Sequence, residues 1–254
     1  MTAQPCKARV RAAFAGAAQR YDSVGDVQAQ IAARLVEHAH TFRGACVLDA
    51  GSGTGYVSHR LFDADPTLAI CAVDHAHAMC ARSALPRTIC ADIEQLPLTP
   101  CVFDAYYSSL AWQWATPQLA AKEALRVLKP GGTLAVATLS TNTFRELKFA
   151  FSTIDDDAHV LNFYAAENYC STLASAGFGN IHLECVPLKV HAPDLHTHLS
   201  RIRTLGANQL SAPRRRGLLG RHAWAKVLAA YETLREDQGL PLTYDVIYLF
   251  AIKP

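Results

Sequence analysis

Between residues 45 and 140 the chain alternates short apolar runs with segments whose apolar positions recur every three to four residues. Residues 45–49, 68–73, 87–90, 102–108 and 132–138 are rich in apolar, β-branched or aromatic side chains and have the length of strands. Between them the spacing turns helical, as in Leu119, Ala120, Glu123, Ala124, Val127 and Leu128. That alternation predicts an α/β fold, a parallel sheet covered on both faces. The helix over 117–128 opens on Pro117 behind a Thr116 N-cap and is closed by Lys129-Pro130-Gly131-Gly132. Its last turn is cationic, as the helix dipole favours.

Beyond residue 140 the rhythm changes. Thr143–Asp155, Glu167–Ala176, Asp194–Leu205 and Trp224–Glu236 read as helices, Ile181–Val190 as a strand, and LTYDVIYLFAI closes the chain as a long strand. A helical insertion followed by a return to the sheet is the economical topology. The expected layout is a cofactor-binding core with covering N-terminal helices over 1–142, and a helical lid containing one core strand over 143–210. A C-terminal helix and final strand over 211–254 complete the sheet.

At 254 residues, half of them hydrophobic and 18% charged, the chain is long enough to bury the core of one domain with an insertion. Lys7, Arg9, Arg11 and Arg20 interrupt the N-terminus, leaving no run apolar enough for a signal segment or a membrane span. A cytoplasmic protein is expected. The eight cysteines contain no C-x-x-C pair, and several fall in strand-like runs, so reduced, mostly buried thiols are expected. The His-x-His pairs (His38/His40, His75/His77, His196/His198) lack further ligands at metal spacing, and no metal is expected.

The chemistry gathers around VLDAGSGTG, residues 47–55. A dinucleotide loop needs G-x-G-x-x-G, but from Gly51 the chain reads G-S-G-T-G-Y, with Tyr56 where the third glycine belongs. A Walker loop fails too, because no Gly-Lys-Ser/Thr follows. What remains is Asp49 at a strand end, then Gly51, Gly53 and Gly55, which let a ligand lie against the backbone. Asp74 ends the second strand, placed to accept from a ribose diol, and Asp92 follows the third, placed for an exocyclic amine. Three acids without a phosphate-binding group suit an adenosine carrying a cation and an amine. S-adenosyl-L-methionine fits that description.

These residues resemble the seven-strand, class I S-adenosylmethionine-dependent methyltransferases. VLDAGSGTG matches their first motif, Asp74 their ribose acid, Ala91-Asp92-Ile93 their adenine contact, and RVLKPGG at 126–132 the turn before their fifth strand. A finer resemblance, covering nearly the whole chain, is to the malonyl-[acyl-carrier protein] O-methyltransferases of biotin biosynthesis. It is carried by Leu110-Ala111-x-Gln113-Trp114, by Thr138-Leu139 through Glu146-Leu147, by Leu205-Gly206-Ala207, by Pro241-Leu242-Thr243-Tyr244, and by the segment from Phe14 to Tyr21-Asp22. The stretch around Ser200 to Arg203 departs from the family, with basic positions shifted.

The resemblance implies a doubly wound, mostly parallel seven-stranded Rossmann-like sheet with a helical lid. It implies cofactor contacts at Tyr21, Asp49, Gly51, Ser52, Gly53, Gly55, Asp74, His75, Asp92, Ile93, Ser109 and Leu110. Substrate contacts are expected at Gln113, Trp114, Arg145, Arg201 and Arg203, with Arg203 the first choice as carboxylate anchor because it stands closest to Gly206-Ala207. The implied partner is an acidic acyl carrier protein bearing a malonyl group, or malonyl-CoA, with no nucleic acid, no membrane and a monomeric enzyme. Lys7-Arg9-Arg11, and Arg214-Arg215-Arg216 with Arg221, are the two basic clusters available to the carrier on a chain whose net charge is only +2.

The implied reaction is methyl transfer to the free carboxylate of a malonyl thioester. A carboxylate is already ionised at neutral pH, so no catalytic base is expected, only positioning by Tyr21, Gln113 and Trp114. An apolar, aromatic pocket suits a reaction in which an anion and a sulfonium cancel their charges. Trp112, Trp114, Tyr106, Tyr107, Phe144, Phe149, Phe163 and Tyr164 are the available aromatics, about half of them expected in the ordinary core. Two rival readings remain: a methyltransferase acting on another small carboxylate or a quinone precursor, and a cofactor-binding, protein-modifying assembly factor.

Overall fold

β1 (Cys46–Ala50) is the strand from which the site is built, and its side chains alternate between two packed layers. Val47 points into a core shared with helices α2 (Asp26–His38) and α3 (Tyr56–Ala64), and Leu48 into one shared with α5 (Pro117–Val127) and α7 (Ala166–Ala176). This computed structural model describes residues 5–39, 43–157, 159–207 and 219–254. β2 (Ala69–Asp74), β3 (Thr88–Cys90), β4 (Phe103–Ser109), β5 (Leu128–Leu139), β6 (Gly179–Ala192) and β7 (Leu240–Ile252) complete a seven-stranded sheet in the order β3-β2-β1-β4-β5-β7-β6. The first five strands in that order pair in parallel, while β7 runs antiparallel to both β5 and β6. The doubly wound, mostly parallel sheet expected from the alternation is present.

The remaining helices are α1 (Lys7–Ala17), α4 (His77–Ser83), α6 (Arg145–Phe151), α8 (Leu195–Thr204) and α9 (Arg221–Glu232). Several ends differ from the pattern-based reading for local reasons. The helix expected over 143–155 is only α6. Phe144 enters it with φ of 59° while its N–H donates to Thr243, and the Ser152 and Thr153 hydroxyls close it by donating back to the Phe149 and Ala150 carbonyls. The Thr116 side chain makes no cap at α5; its backbone N–H donates to Glu94 instead. Within 143–210, α7 packs on α5 and β6 forms an edge of the sheet, so α6, α8 and the chain between α6 and α7 are the parts that stand over the site.

The cysteines correct an expectation. All eight are free thiols, but none is fully buried; Cys6, Cys90, Cys101 and Cys185 are exposed. Cys90 and Cys185 lie on the two edge strands, where an apolar-looking run still has one open side. Among the described residues no His, Cys, Asp and Glu group is arranged to hold a metal ion, and no helix is long and apolar enough to cross a membrane.

Candidate functional site

The strand order reverses at β1, which lies between β2 and β4, and a cleft opens beyond their carboxyl ends. The turn leaving β1 forms its floor. Gly51 and Ser52 donate to the Val73 carbonyl at 2.7 and 2.9 Å, pinning the turn across the end of β2. Gly51 has φ of +77°, and a Cβ there would stand 2.2 Å from that of Ala111. Gly53 has φ of +55°, and nothing lies within 4 Å of where its Cβ would be. That space is open to a ligand.

Asp74 ties this turn to the next. Its Oδ2 accepts from the Gly53 N–H at 2.9 Å and its Oδ1 from the Ala76 N–H at 2.8 Å. Burial raises its pKa and the two N–H donors work against that rise. Each oxygen keeps a lone pair for the cleft. Asp92 accepts from the Glu94 N–H through Oδ1 at 3.0 Å, while its Oδ2 pairs with Lys7 Nζ at 2.5 Å. Lys7 also reaches Glu94 at 2.7 Å, so α1 is strapped over the Asp92 end of the cleft.

Asp49 is the most confined of the acids, 1% exposed. Its Oδ2 accepts from the Ser58 N–H and hydroxyl at 3.1 and 2.6 Å, but its Oδ1 has no partner, and neither has the Ser52 hydroxyl. Burial pushes the Asp49 carboxyl up to about 6, against the pull of the Ser58 donors.

The cover comes from the N-terminus. Val10, Arg11 and Phe14 of α1, and Tyr21 in the turn after it, line the cleft. Phe14 meets Trp114 edge-on at 5.6 Å between ring centres, and the Tyr21 ring lies 6.3 Å from that of Tyr56. Burial, with Tyr56 and Asp74 nearby, raises the Tyr21 pKa, so its hydroxyl stays protonated and is no base. Gly206, just past α8, comes so close to α1 that a Cβ there would lie 2.8 Å from the Ala13 carbonyl oxygen. α1 and the end of α8 therefore abut.

A second, apolar chamber of about 400 Å³ adjoins the cleft, and Phe14, Tyr21, Gln28, Leu110 and Trp114 line both. Leu110 is held with φ of 56° at the end of β4, a strained conformation of the kind retained at binding sites. Gln113 faces the chamber, but its amide is engaged, donating to the Leu110 carbonyl at 2.7 Å and accepting from the Thr138 hydroxyl at 3.1 Å. Leu147, Leu161, Ile202, Leu205 and Phe163 supply apolar wall; Phe144 and Tyr244 meet edge-on at 4.9 Å.

Of the residues anticipated for the cofactor, Tyr21, Asp49, Gly51, Ser52, Gly53, Asp74, His75, Asp92, Ile93, Ser109 and Leu110 line the cleft together. Gly55 does not; it stands behind, against His59 and Leu85. Of the substrate residues, Gln113, Trp114 and Arg203 line the chamber. Arg145 lies in a separate depression with Lys189 and Glu236, bonded to Glu146 at 3.3 Å, and Arg201 is exposed outside the chamber lining. Among the aromatics, Trp114, Phe144 and Phe163 reach the chamber, Tyr106, Tyr107 and Trp112 are core, and Phe149 is exposed. Of the basic clusters, Lys7 is committed to Asp92 and Glu94, whereas Arg214-Arg215-Arg216 lies outside the described residues. Gln28, Tyr56 and His159 were not anticipated. Gln28 had a legible signal, a polar residue on the Ile31, Ala32, Leu35 stripe of α2.

S-adenosylmethionine fits this cleft on the structure's own terms. The open space at Gly53 admits a ligand against the backbone, and the orphaned Asp49 oxygen and Ser52 hydroxyl call for donors. Because Asp49 ionises near 6, a ligand bringing an ammonium group there should bind less well as pH falls from 7 to 5, by up to about tenfold per unit. Calorimetry with S-adenosylhomocysteine should show this slope, and Asp49→Asn should remove the part that Asp49 contributes. The same shift, from 3.8 to about 6, places the Asp49 proton on the folded state. Its contribution to stability is therefore lost as pH rises through that window, by roughly 3 kcal/mol at most.

Residues 48–136 match the family model described as a methyltransferase domain. A malonyl-[acyl-carrier protein] O-methyltransferase of Dechloromonas aromatica (strain RCB) is 40% identical over 251 residues, which span 98% of this chain and 96% of the relative. The chain belongs to the malonyl-[acyl-carrier protein] O-methyltransferases. Another relative, the biotin biosynthesis bifunctional protein BioHC of Teredinibacter turnerae, is 33% identical over 98% of this chain and 47% of its own length. Among solved structures, a putative methyltransferase from Bacillus halodurans superposes with a TM-score of 0.63 at 18% identity, covering 89% of this chain and 99% of its own. That likeness extends the shared fold to the sheet and its flanking helices. In this member of the malonyl-[acyl-carrier protein] O-methyltransferases the glycine turn, the N-terminal cover and the second chamber adjoin through shared lining residues.

Proposed function

We propose that this enzyme transfers a methyl group from S-adenosylmethionine to the free carboxylate of a malonyl thioester on an acyl carrier protein, the ester that primes pimeloyl and biotin synthesis. The observation that carries this reading is the shared wall of Phe14, Tyr21, Gln28, Leu110 and Trp114, through which the acid-lined cleft meets an apolar chamber. The cofactor supplies an electrophilic methyl on a cationic sulfur. The chain's own residues orient, desolvate and align.

Asp92 and Ile93 take the adenine end, Asp74 the ribose, and Asp49, Ser52 and the backbone from Gly51 to Gly53 the amino-acid end. The acceptor carboxylate enters from the chamber. It is already ionised, so the wall needs no base, and the raised pKa of Tyr21 suits a hydroxyl that keeps its proton. The apolar lining excludes water from an anion and a cation whose charges cancel as the bond forms. Arg203, on the chamber wall, is the proposed anchor for the malonyl carboxylate. The lid is assigned to 143–210 and the completing helix and strand to 211–254. Eight unpaired thiols support a cytoplasmic site, and exposed large apolar side chains placed one to a helix, at Phe62, Leu119, Phe149 and Leu228, support a monomer.

Methyl-transfer assays with malonyl-carrier protein, malonyl-CoA and free malonate in parallel test the reading. The carrier-bound thioester should be the best substrate, and transfer to none of the three would reject it. Tyr21→Ala should lower turnover and leave residues 1–22 open to protease, with S-adenosylhomocysteine restoring protection in the wild type. Protection independent of ligand would make the segment a fixed helix.

A further inference from the structure

Gln28 occupies the buried face of α2 with Ile31, Ala32 and Leu35. It is 7% exposed, and its Oε1 has no hydrogen-bond partner. A buried amide oxygen left unpaired is destabilising, and Leu or Met would fill the same stripe without that penalty. The position is not ordinary core. Gln28 lines both the cofactor cleft and the acceptor chamber, at the wall they share. An unsatisfied acceptor at that wall is available to a ligand that enters.

Two more unpartnered oxygens, Asp49 Oδ1 and the Ser52 hydroxyl, belong to the same cleft. With adenine at Asp92 and ribose at Asp74, the part of the cofactor left for these groups is its methionyl amino acid. That end is a zwitterion, an ammonium rich in donors beside a carboxylate that needs them. An amide offers one acceptor and two donors on a single rigid plane. Of the two cleft-lining residues with a fixed positive charge, Lys7 is occupied by Asp92 and Glu94, and Arg11 belongs to the covering helix α1 rather than to the wall that the cleft and the chamber share.

We propose that the Gln28 amide grips the methionyl amino-acid end of the cofactor, its oxygen accepting from the ammonium and its NH2 group facing the carboxylate. The grip fixes the adjacent sulfur at the mouth of the chamber. A neutral amide does so without placing a net charge where sulfonium and carboxylate must cancel. The inference rests on the orientation of the cofactor given above and is independent of the acceptor.

The test is calorimetric and needs no turnover. S-adenosylhomocysteine carries the amino-acid end, whereas 5′-methylthioadenosine keeps the adenosine and the sulfur but lacks it. Gln28→Ala should weaken S-adenosylhomocysteine by about 10- to 100-fold and leave methylthioadenosine within twofold, the pattern for lost bonds to charged groups. Gln28→Met, which preserves the volume on the α2 stripe, should behave alike. Equal losses for both ligands would make Gln28 a support of the fold, and an unchanged S-adenosylhomocysteine affinity would remove it from the site; either overturns the proposal. Asp74→Ala should weaken both ligands. If it weakens neither, the cofactor's orientation is what has failed.

Discussion

Arg203→Ala should lower kcat/KM for the malonyl thioester by about one to three orders of magnitude, with S-adenosylmethionine affinity unchanged. Arg203 is itself exposed, so the loss reaches the upper end of that range where the bound thioester covers the pair; breaking a desolvated ion pair costs roughly 2 to 5 kcal/mol, and Leu199, Ile202 and Leu205 line the chamber beside it. The other lining residue able to carry positive charge, His159, already faces Asp155 at 2.6 Å and stacks on Phe151. Arg203→Lys should recover only part of the loss if the guanidinium grips both carboxylate oxygens. Arg145→Ala and Arg201→Ala serve as controls, since neither residue lines the chamber and Arg145 is turned to Glu146. Parallel steady-state kinetics on the three variants check this. A wild-type rate in Arg203→Ala would leave the chamber without an arginine clamp.

The contrast between Arg203 and Arg145 shows where the sequence was legible. The cofactor half is written locally: Asp49 to Gly55 is one strand end and its turn, and Asp74 and Asp92 follow the next two strands in the sheet. Once the alternation set a parallel sheet, those ends had to meet. The second chamber depends on α6, α8 and the chain between α6 and α7, whose direction is set by long-range contacts. Phe144 turns into α6 with a positive φ because its N–H is held by Thr243 of β7, a hundred positions away in effect, and that turn accompanies the departure of Arg145 from the chamber. No local pattern carries it.

Charge was misread for a related reason. Lys7 looked like part of a surface cluster, but the fold brings it to Asp92 and Glu94, where a solvated-looking lysine becomes a strap for α1. Gln113 looked free to orient a ligand, yet its amide is spent on Leu110 and Thr138. Gln28, on a stripe that sequence inspection would assign to the core, keeps its oxygen unpaired. Which amide is available is decided by tertiary partners, not by residue type.

Asp74→Ala should weaken S-adenosylmethionine by about 1 to 3 kcal/mol, roughly 5- to 150-fold, in a protein that still folds. The carboxylate has two tasks, since its oxygens already hold the Gly53 and Ala76 N–H groups while their remaining lone pairs face the cleft. Part of the loss therefore comes from loosening the glycine turn. Asp74→Asn keeps one acceptor oxygen and should fall between wild type and alanine. A ligand truncation separates the two tasks: 2′-deoxy-S-adenosylhomocysteine lacks one of the hydroxyls that Asp74 is expected to bind. In the wild type that deletion should weaken binding, and in Asp74→Ala it should have little further effect, because the partner is already gone. If the deletion is equally costly in both proteins, the ribose hydroxyl is bound elsewhere and Asp74 acts through the turn alone. Unchanged affinity in folded Asp74→Ala would remove it from cofactor binding altogether.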